Sequence, residues 1–132
     1  MIIYNFLFYN AYLLGKKSGN FKDIPVLGGV IHVVPFFIYN LFSLLFVMEG
    51  LKIKVFEYDR SDSFYIAFSL LILFLLYYSV NKRYIKIVDS FDKKDIPNST
   101  KFQLFVVISY HLIGFLIVLI SGLYKNKDWI FK

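Results

Sequence analysis

The hydrophobic residues of this chain fall into three long runs separated by short polar stretches. The middle run, residues 64–80, contains no charged residue, Gly or Pro, and residues 26–48 and 102–124 also lack Asp, Glu, Lys and Arg. A helix rises about 1.5 Å per residue, so runs of this length approach the ~30 Å hydrocarbon core of a bilayer. The pattern predicts an all-α integral membrane protein with three transmembrane helices.

The middle run continues into a polar stretch that keeps helical spacing. Residues 81–95 contain no Gly or Pro, and their apolar side chains gather on one side of a helix with charged side chains on the other. We therefore expect the central helix to extend without a break into the cytoplasm over residues 81–95. Pro97 ends this helix, and Thr100 with Gln103 matches a capping box for the third span.

The first seventeen residues form a separate apolar stretch that is too short to span a bilayer as a helix. Its aliphatic residues gather on one side of a helical wheel, with tyrosines and Lys16 on another. We expect residues 1–17 to form a helix lying in the membrane interface, and the whole chain, 1–132, to be a single membrane domain. Aromatic side chains anchor such proteins at headgroup depth, and the candidate anchors are Tyr9, Tyr12, Tyr77, Tyr78 and Trp129.

Composition supports a membrane protein rather than a soluble one. The chain has 132 residues, of which 58% are hydrophobic, and its mean hydropathy is +0.62. The net charge of +6 arises from short clusters between apolar runs, which suits anionic headgroups better than nucleic acid, so we expect no nucleic-acid partner. The chain has no Cys, which excludes disulfides and thiolate metal sites.

The distribution of charge predicts an orientation. Nine of the fifteen Lys and Arg residues lie on the side of the N-terminus and of residues 81–95. Because positive residues are retained on the cytoplasmic side, we expect a multi-pass protein whose more basic side faces the cytoplasm. Its N-terminus would be cytoplasmic and its C-terminus would lie on the outside.

Polar residues inside the spans are candidates for function, because they are costly in lipid. His32 and His111 lie at similar depths in two parallel spans, so they could form a proton relay, a weak metal pair or a histidine ring in an oligomer. The alternative, which we expect, is a pair of neutral imidazoles that hydrogen-bond as packing groups. The candidate intramembrane polar contacts are His32, Tyr39, Asn40, Ser43 and His111.

The loops carry charged residues but no recognisable catalytic arrangement. The sequence lacks a phosphate-binding glycine loop, a nucleophile elbow and a histidine pair with helical metal spacing. We therefore expect no enzymatic activity, no metal and no cofactor. The charged residues form a candidate surface for a protein partner instead: Glu57, Asp59, Arg60, Lys82, Arg83 and Lys86.

The order of features resembles a group of small three-span membrane proteins of uncharacterised function that are common in Bacteroidota. The shared layout comprises the aromatic start YNFLFYNAYLLGKK, the span FFIYNLFSLL, the run LLYYSVNKRYIKIVDSF and the final span VVISYHLIGFLIVLI. Some proteins of this kind lie beside genes for secreted toxins. The resemblance therefore implies a multi-pass protein of the bacterial inner membrane, with its C-terminus in the periplasm, and a role as an immunity factor.

Two classes of function remain open from these observations. The first is a non-enzymatic membrane protein that binds a protein partner, as a toxin-immunity factor or an accessory subunit of a membrane complex. The second is a self-assembling oligomer that permeabilises the membrane or conducts ions. The expected partners are the lipid bilayer and either another membrane protein or a second copy. The spans are apolar along their length, which favours binding.

Overall fold

The computed structural model describes residues 1–53 and 60–127, with residues 60 and 61 described by their backbone alone. This part of the chain is helical and contains no strand. Its helices are α1 (Ile2–Ser18), α2 (Pro25–Gly50), α3 (Arg60–Ser79), α4 (Arg83–Asp92) and α5 (Thr100–Asn126). Three stretches are long and apolar enough to cross a membrane, namely α2, Asp62–Asp92 and α5. The prediction of an all-helical protein with three candidate transmembrane helices is confirmed.

The helix ends follow local sequence signals. Pro25 occupies the first turn of α2, where its fixed φ suits a helix and its missing N–H costs nothing. Ser99 caps α5 by accepting a hydrogen bond from the Phe102 N–H at 3.2 Å. The cap is therefore one residue earlier than the expected Thr100. The Gln103 side chain does not reach back to the cap, because it donates to Asn98 Oδ1 instead.

The expected unbroken helix over residues 64–95 is interrupted between α3 and α4. Asn81 and Lys82 have left-handed backbones, with φ of 53° and 51°. Asn tolerates this conformation better than most residues. The break redirects α4 so that Ile87 and Phe91 become buried in the hydrophobic core. A straight extension would leave the apolar side of this amphipathic helix uncovered, which explains why the chain turns.

Helix α1 is packed inside the bundle on more than one side. It runs against the first halves of α2 and α5, and its middle residues Leu7 to Ala11 are almost fully buried. Phe8 stacks on Tyr78 at the end of α3, and Phe6 contacts Phe91 of α4. Protein thus covers the middle of α1 on more than one side, whereas Ile2 and Ile3 at its start are exposed.

The two ends of the bundle differ in charge. We call the end where α1 and α3 terminate and α2 and α5 begin the basic end. The other, where α2 and α5 terminate, is the far end. The basic end carries nine cationic residues against four Asp residues. The cations are Lys16, Lys17, Lys22, Lys82, Arg83, Lys86, Lys93, Lys94 and Lys101.

Candidate functional site

Polar side chains of α2 meet polar side chains of α5 along the interface between these two helices. We call this line the polar seam; it consists of His32, Ser43 and Glu49 on α2 and His111, Ser121 and Lys125 on α5. The helices run parallel, and the ten- or eleven-residue step from His to Ser on each is about three turns. On each helix the serine therefore returns close to the face of the histidine and meets its counterpart.

The two histidines are the first pair of the seam. His32 Nδ1 lies 3.1 Å from His111 Nε2, a distance that fits one N–H donating to an unprotonated ring nitrogen. Tyr39 lies edge-on to His111, with ring centroids 6.2 Å apart. The structure therefore brings together three of the residues that the sequence singled out. Such a pair can share one proton between α2 and α5 or hold the helices in register.

The two serines form the second pair. Ser43 Oγ lies 2.5 Å from Ser121 Oγ, and Ser121 donates to the Ile117 carbonyl at 2.8 Å. A hydroxyl has one proton, so Ser43 is the donor to Ser121. Ser121 was missed by sequence reasoning, although its spacing from His111 nearly repeats the spacing of Ser43 from His32.

An ion pair closes the seam at the far end. Lys125 Nζ and Glu49 Oε2 are 2.5 Å apart, and both side chains are partly exposed. Lys125 also lies over the Phe46 ring, 5.0 Å from its centroid. This pair was missed as well. The only sequence signal for it is opposite charge at the ends of two parallel apolar runs.

Asn40, another predicted contact, faces α1 rather than α5. Its Nδ2 donates to the Phe36 carbonyl at 2.8 Å and to Tyr4 Oη at 3.3 Å. The polar contacts of α1 continue at the basic end, where Lys17 Nζ donates to Asn98 Oδ1 at 2.6 Å. Asn98, which also accepts from Gln103, joins the end of α1 to the start of α5.

Two of the predicted interface anchors are inside the protein. Tyr9 is 2% exposed, and its hydroxyl donates to Asp92 Oδ1 at 2.7 Å. Burial and the adjacent Asp92 carboxylate raise the pKa of Tyr9 to about 12. Tyr78 is 0% exposed and donates to Asn5 Oδ1 at 3.3 Å. These two rings hold α1 against α4 and α3.

The remaining predicted anchors, Tyr12, Tyr77 and Trp129, differ in how far they are exposed or described. Tyr12 is partly buried between the rings of Phe8 and Tyr84, and burial raises its pKa. Tyr77 is partly exposed and donates to Met1 Sδ at 3.0 Å. Trp129 lies outside the described residues.

The predicted partner surface is described only in part. Lys82, Arg83 and Lys86 are exposed where α3 meets α4, and the Arg83 guanidinium lies over the Tyr77 ring at 4.3 Å. Glu57 and Asp59 lie outside the described residues, and the side chain of Arg60 is not described. Within residues 1–53 and 60–127, no three His, Asp or Glu side chains are grouped to hold a metal ion.

Comparison with known proteins adds no relative to this picture. No family model matches the chain, and no curated protein or solved structure matches it at a significant level.

Proposed function

We propose that this chain is a non-enzymatic protein of the bacterial inner membrane that acts by binding another membrane protein through its apolar spans and its basic end. The observation that carries this proposal is the direction in which the polar groups of the spans point. The seam histidines and serines pair with each other between α2 and α5, and Asn40 pairs with α1. Each of these side chains therefore has a hydrogen-bond partner within one copy.

The outward faces of the spans have a different character. On α5 they present exposed Phe, Leu and Ile side chains, of which Phe105 is 69% exposed. On α3 the exposed residues include Phe64 and Phe68, with Ser69 among them. A conducting oligomer needs a more continuous polar lining than the separate hydroxyls of Tyr65, Ser69 and Ser79 supply. Apolar and aromatic faces suit contact with lipid or with another transmembrane helix. This contrast favours binding over permeabilisation.

The charge of the basic end supports an orientation for this binding protein. Positive residues are retained on the cytoplasmic side, so the N-terminus and the loop between α4 and α5 would face the cytoplasm. In this arrangement α1 and α4 lie at the cytoplasmic interface, and the C-terminus is periplasmic. The partner would be a membrane-active toxin that the chain neutralises, or a larger complex that it serves.

Photo-crosslinking in cells tests the proposal directly. A benzophenone amino acid would replace Phe105 on α5 or Phe68 on α3, since both are exposed aromatic positions. We expect a crosslinked product that contains a second, different membrane protein. Products at multiples of the 15.6 kDa chain mass would instead support self-assembly. Crosslinks to lipid alone would contradict a protein partner.

A growth assay separates the two classes of function. Moderate expression of the chain alone should leave growth and exclusion of a membrane-impermeant dye unchanged. Expression with a toxin encoded beside it should restore growth if the chain is an immunity factor. Dye entry on expression of the chain alone would contradict the proposal and support permeabilisation.

A further inference from the structure

The break between α3 and α4 creates a concave corner on the outside of the bundle. The left-handed backbones of Asn81 and Lys82 turn α4 away from the axis of α3. The corner encloses about 570 Å³ and is lined by both helices. The burial of Ile87 and Phe91 requires the break between α3 and α4, and the corner results from this break. The corner lies at the basic end.

One wall of this corner is apolar and faces away from the protein. Leu73, Leu76 and Val80 line it, and their side chains are 59%, 58% and 55% exposed. Their spacing of three and four residues places them in one stripe along α3. The stripe belongs to a stretch that is long and apolar enough to span a membrane. A hydrocarbon chain can therefore lie along it.

The other wall carries two cations. Arg83 and Lys86 are three residues apart on α4, so they project on the same side. The Arg83 guanidinium is held over the Tyr77 ring, which leaves its N–H groups at the rim available as donors. Among the described residues, neither cation forms an ion pair, and no Asp or Glu lines the corner. Asp89 lies further along α4 and is exposed.

We infer that this corner binds one anionic phospholipid. Arg83 and Lys86 hold the headgroup phosphate, and an acyl chain lies along Leu73, Leu76 and Val80. Arginine recognises a phosphate through two parallel N–H donors, and lysine adds a second positive charge. The boundary between an apolar stripe and a basic rim is where the phosphate of a lipid in the adjoining leaflet would be placed. This inference does not depend on the identity of a protein partner.

Native mass spectrometry of the full chain in detergent tests the site. The probes are dioleoylphosphatidylglycerol and dioleoylphosphatidylcholine, added in equal amounts, and we expect retention of the anionic lipid. The variant R83Q/K86Q should bind it about tenfold more weakly, the loss expected for removing both charged donors. The matched control K93Q/K101Q removes two exposed charges from the same end outside the corner, so its affinity should change less than about twofold.

Three outcomes would overturn the inference. Equal losses in R83Q/K86Q and K93Q/K101Q would show that attraction to the basic end is diffuse. Equal binding of the two lipids would show that the net charge of the headgroup does not contribute to binding. Displacement of the lipid by millimolar inorganic phosphate would assign the corner to free phosphate. Gel filtration checks folding of each variant. If R83Q/K86Q misfolds, the single variant Lys86→Gln carries the test, because Lys86 is exposed.

Discussion

The basic end and the far end of the bundle are held together by different kinds of contact. At the basic end, α1 lies among α2, α3, α4 and α5, and the rings of Phe8 and Tyr78 stack with centroids 3.9 Å apart. At the far end, α2 and α5 meet through the Ser43–Ser121 pair, the Glu49–Lys125 ion pair and the packing of the Tyr124 ring on Gly50. Packing of four helices around α1 stabilises the basic end, whereas polar contacts between two helices contribute more at the far end.

This difference has a consequence for how much each end tolerates change. A buried, stacked ring has no room to move, so added volume at the basic end must shift a helix. A half-buried side chain at the far end can rotate toward its surroundings. We therefore expect the stability of the fold to be concentrated around α1, although α1 is not among the candidate spans.

The largest expected effect compares the same substitution at the two ends. A Cβ atom at Gly29 would lie 2.6 Å from the Phe8 ring, and one at Gly50 would lie 2.5 Å from the Tyr124 ring. Phe8 is fully buried against Tyr78, whereas Tyr124 is only partly buried. We expect Gly29→Ala to lower the free energy of unfolding by about 3 kcal/mol and Gly50→Ala to lower it by about 1 kcal/mol, as measured by SDS titration.

The control for this comparison is Gly122→Ala on α5. The nearest atom to a Cβ there is Phe46 Cδ2 at 3.8 Å, which is ordinary contact. This substitution should be neutral or slightly stabilising, since Ala favours a helix more than Gly. Equal costs for Gly29→Ala and Gly50→Ala would contradict the proposed difference between the ends.

The second prediction concerns the buried hydroxyl that joins α1 to α4. Tyr9→Phe removes the hydrogen bond to Asp92 and should cost about 2 kcal/mol, because the acceptor is charged. Tyr12→Phe is the matched control, since no hydrogen bond of its hydroxyl to a described residue is present. The free energy of unfolding of Tyr12→Phe should differ from that of the wild type by less than about 0.5 kcal/mol.

The Tyr9 hydroxyl also predicts a pH dependence. Its pKa in the folded protein is raised from 10.0 to about 12, so the folded state holds this proton more tightly than the unfolded state. The resulting stabilisation is complete below pH 10 and is lost as the pH rises through 12. Wild-type protein should therefore lose more stability than Tyr9→Phe over this interval. Identical pH profiles would contradict the assignment.

Sequence reasoning located the three candidate spans and missed the arrangement at the basic end. The spans are long, uncharged runs, and in lipid such runs have few alternatives to a helix. The break at Asn81 has no Gly or Pro to mark it, because its cause is the tertiary burial of Ile87 and Phe91. The Tyr9–Asp92 contact joins residues 83 positions apart, and no local pattern signals it. His32 and His111 were recognisable, since each is the sole histidine of its span.

The histidine pair lies between the two ends and provides the third prediction. A double-mutant cycle with His32→Ala and His111→Ala should give a coupling energy of about 1 kcal/mol, the scale of a hydrogen bond in a membrane. His32→Gln should cost less than His32→Ala, because Gln retains a donor and an acceptor. The control cycle pairs His32→Ala with Ser43→Ala, which should show no coupling. Coupling above about 3 kcal/mol would indicate a contact stronger than a neutral hydrogen bond.

The smallest expected effect is at the serine pair of the far end. Ser43→Ala removes one donor. Ser121 keeps the hydrogen bond that it donates to the Ile117 carbonyl and loses only the hydrogen bond that it accepts from Ser43. A cost of about 0.5 kcal/mol follows, near the average for hydrogen bonds between membrane helices. Ser69→Ala on the exposed face of α3 is the matched control and should be neutral. SDS-titration unfolding measures both. A cost above about 2 kcal/mol for Ser43→Ala would mean that the serine pair stabilises the far end as strongly as Tyr9 stabilises the basic end, and the proposed contrast between the two ends would no longer hold.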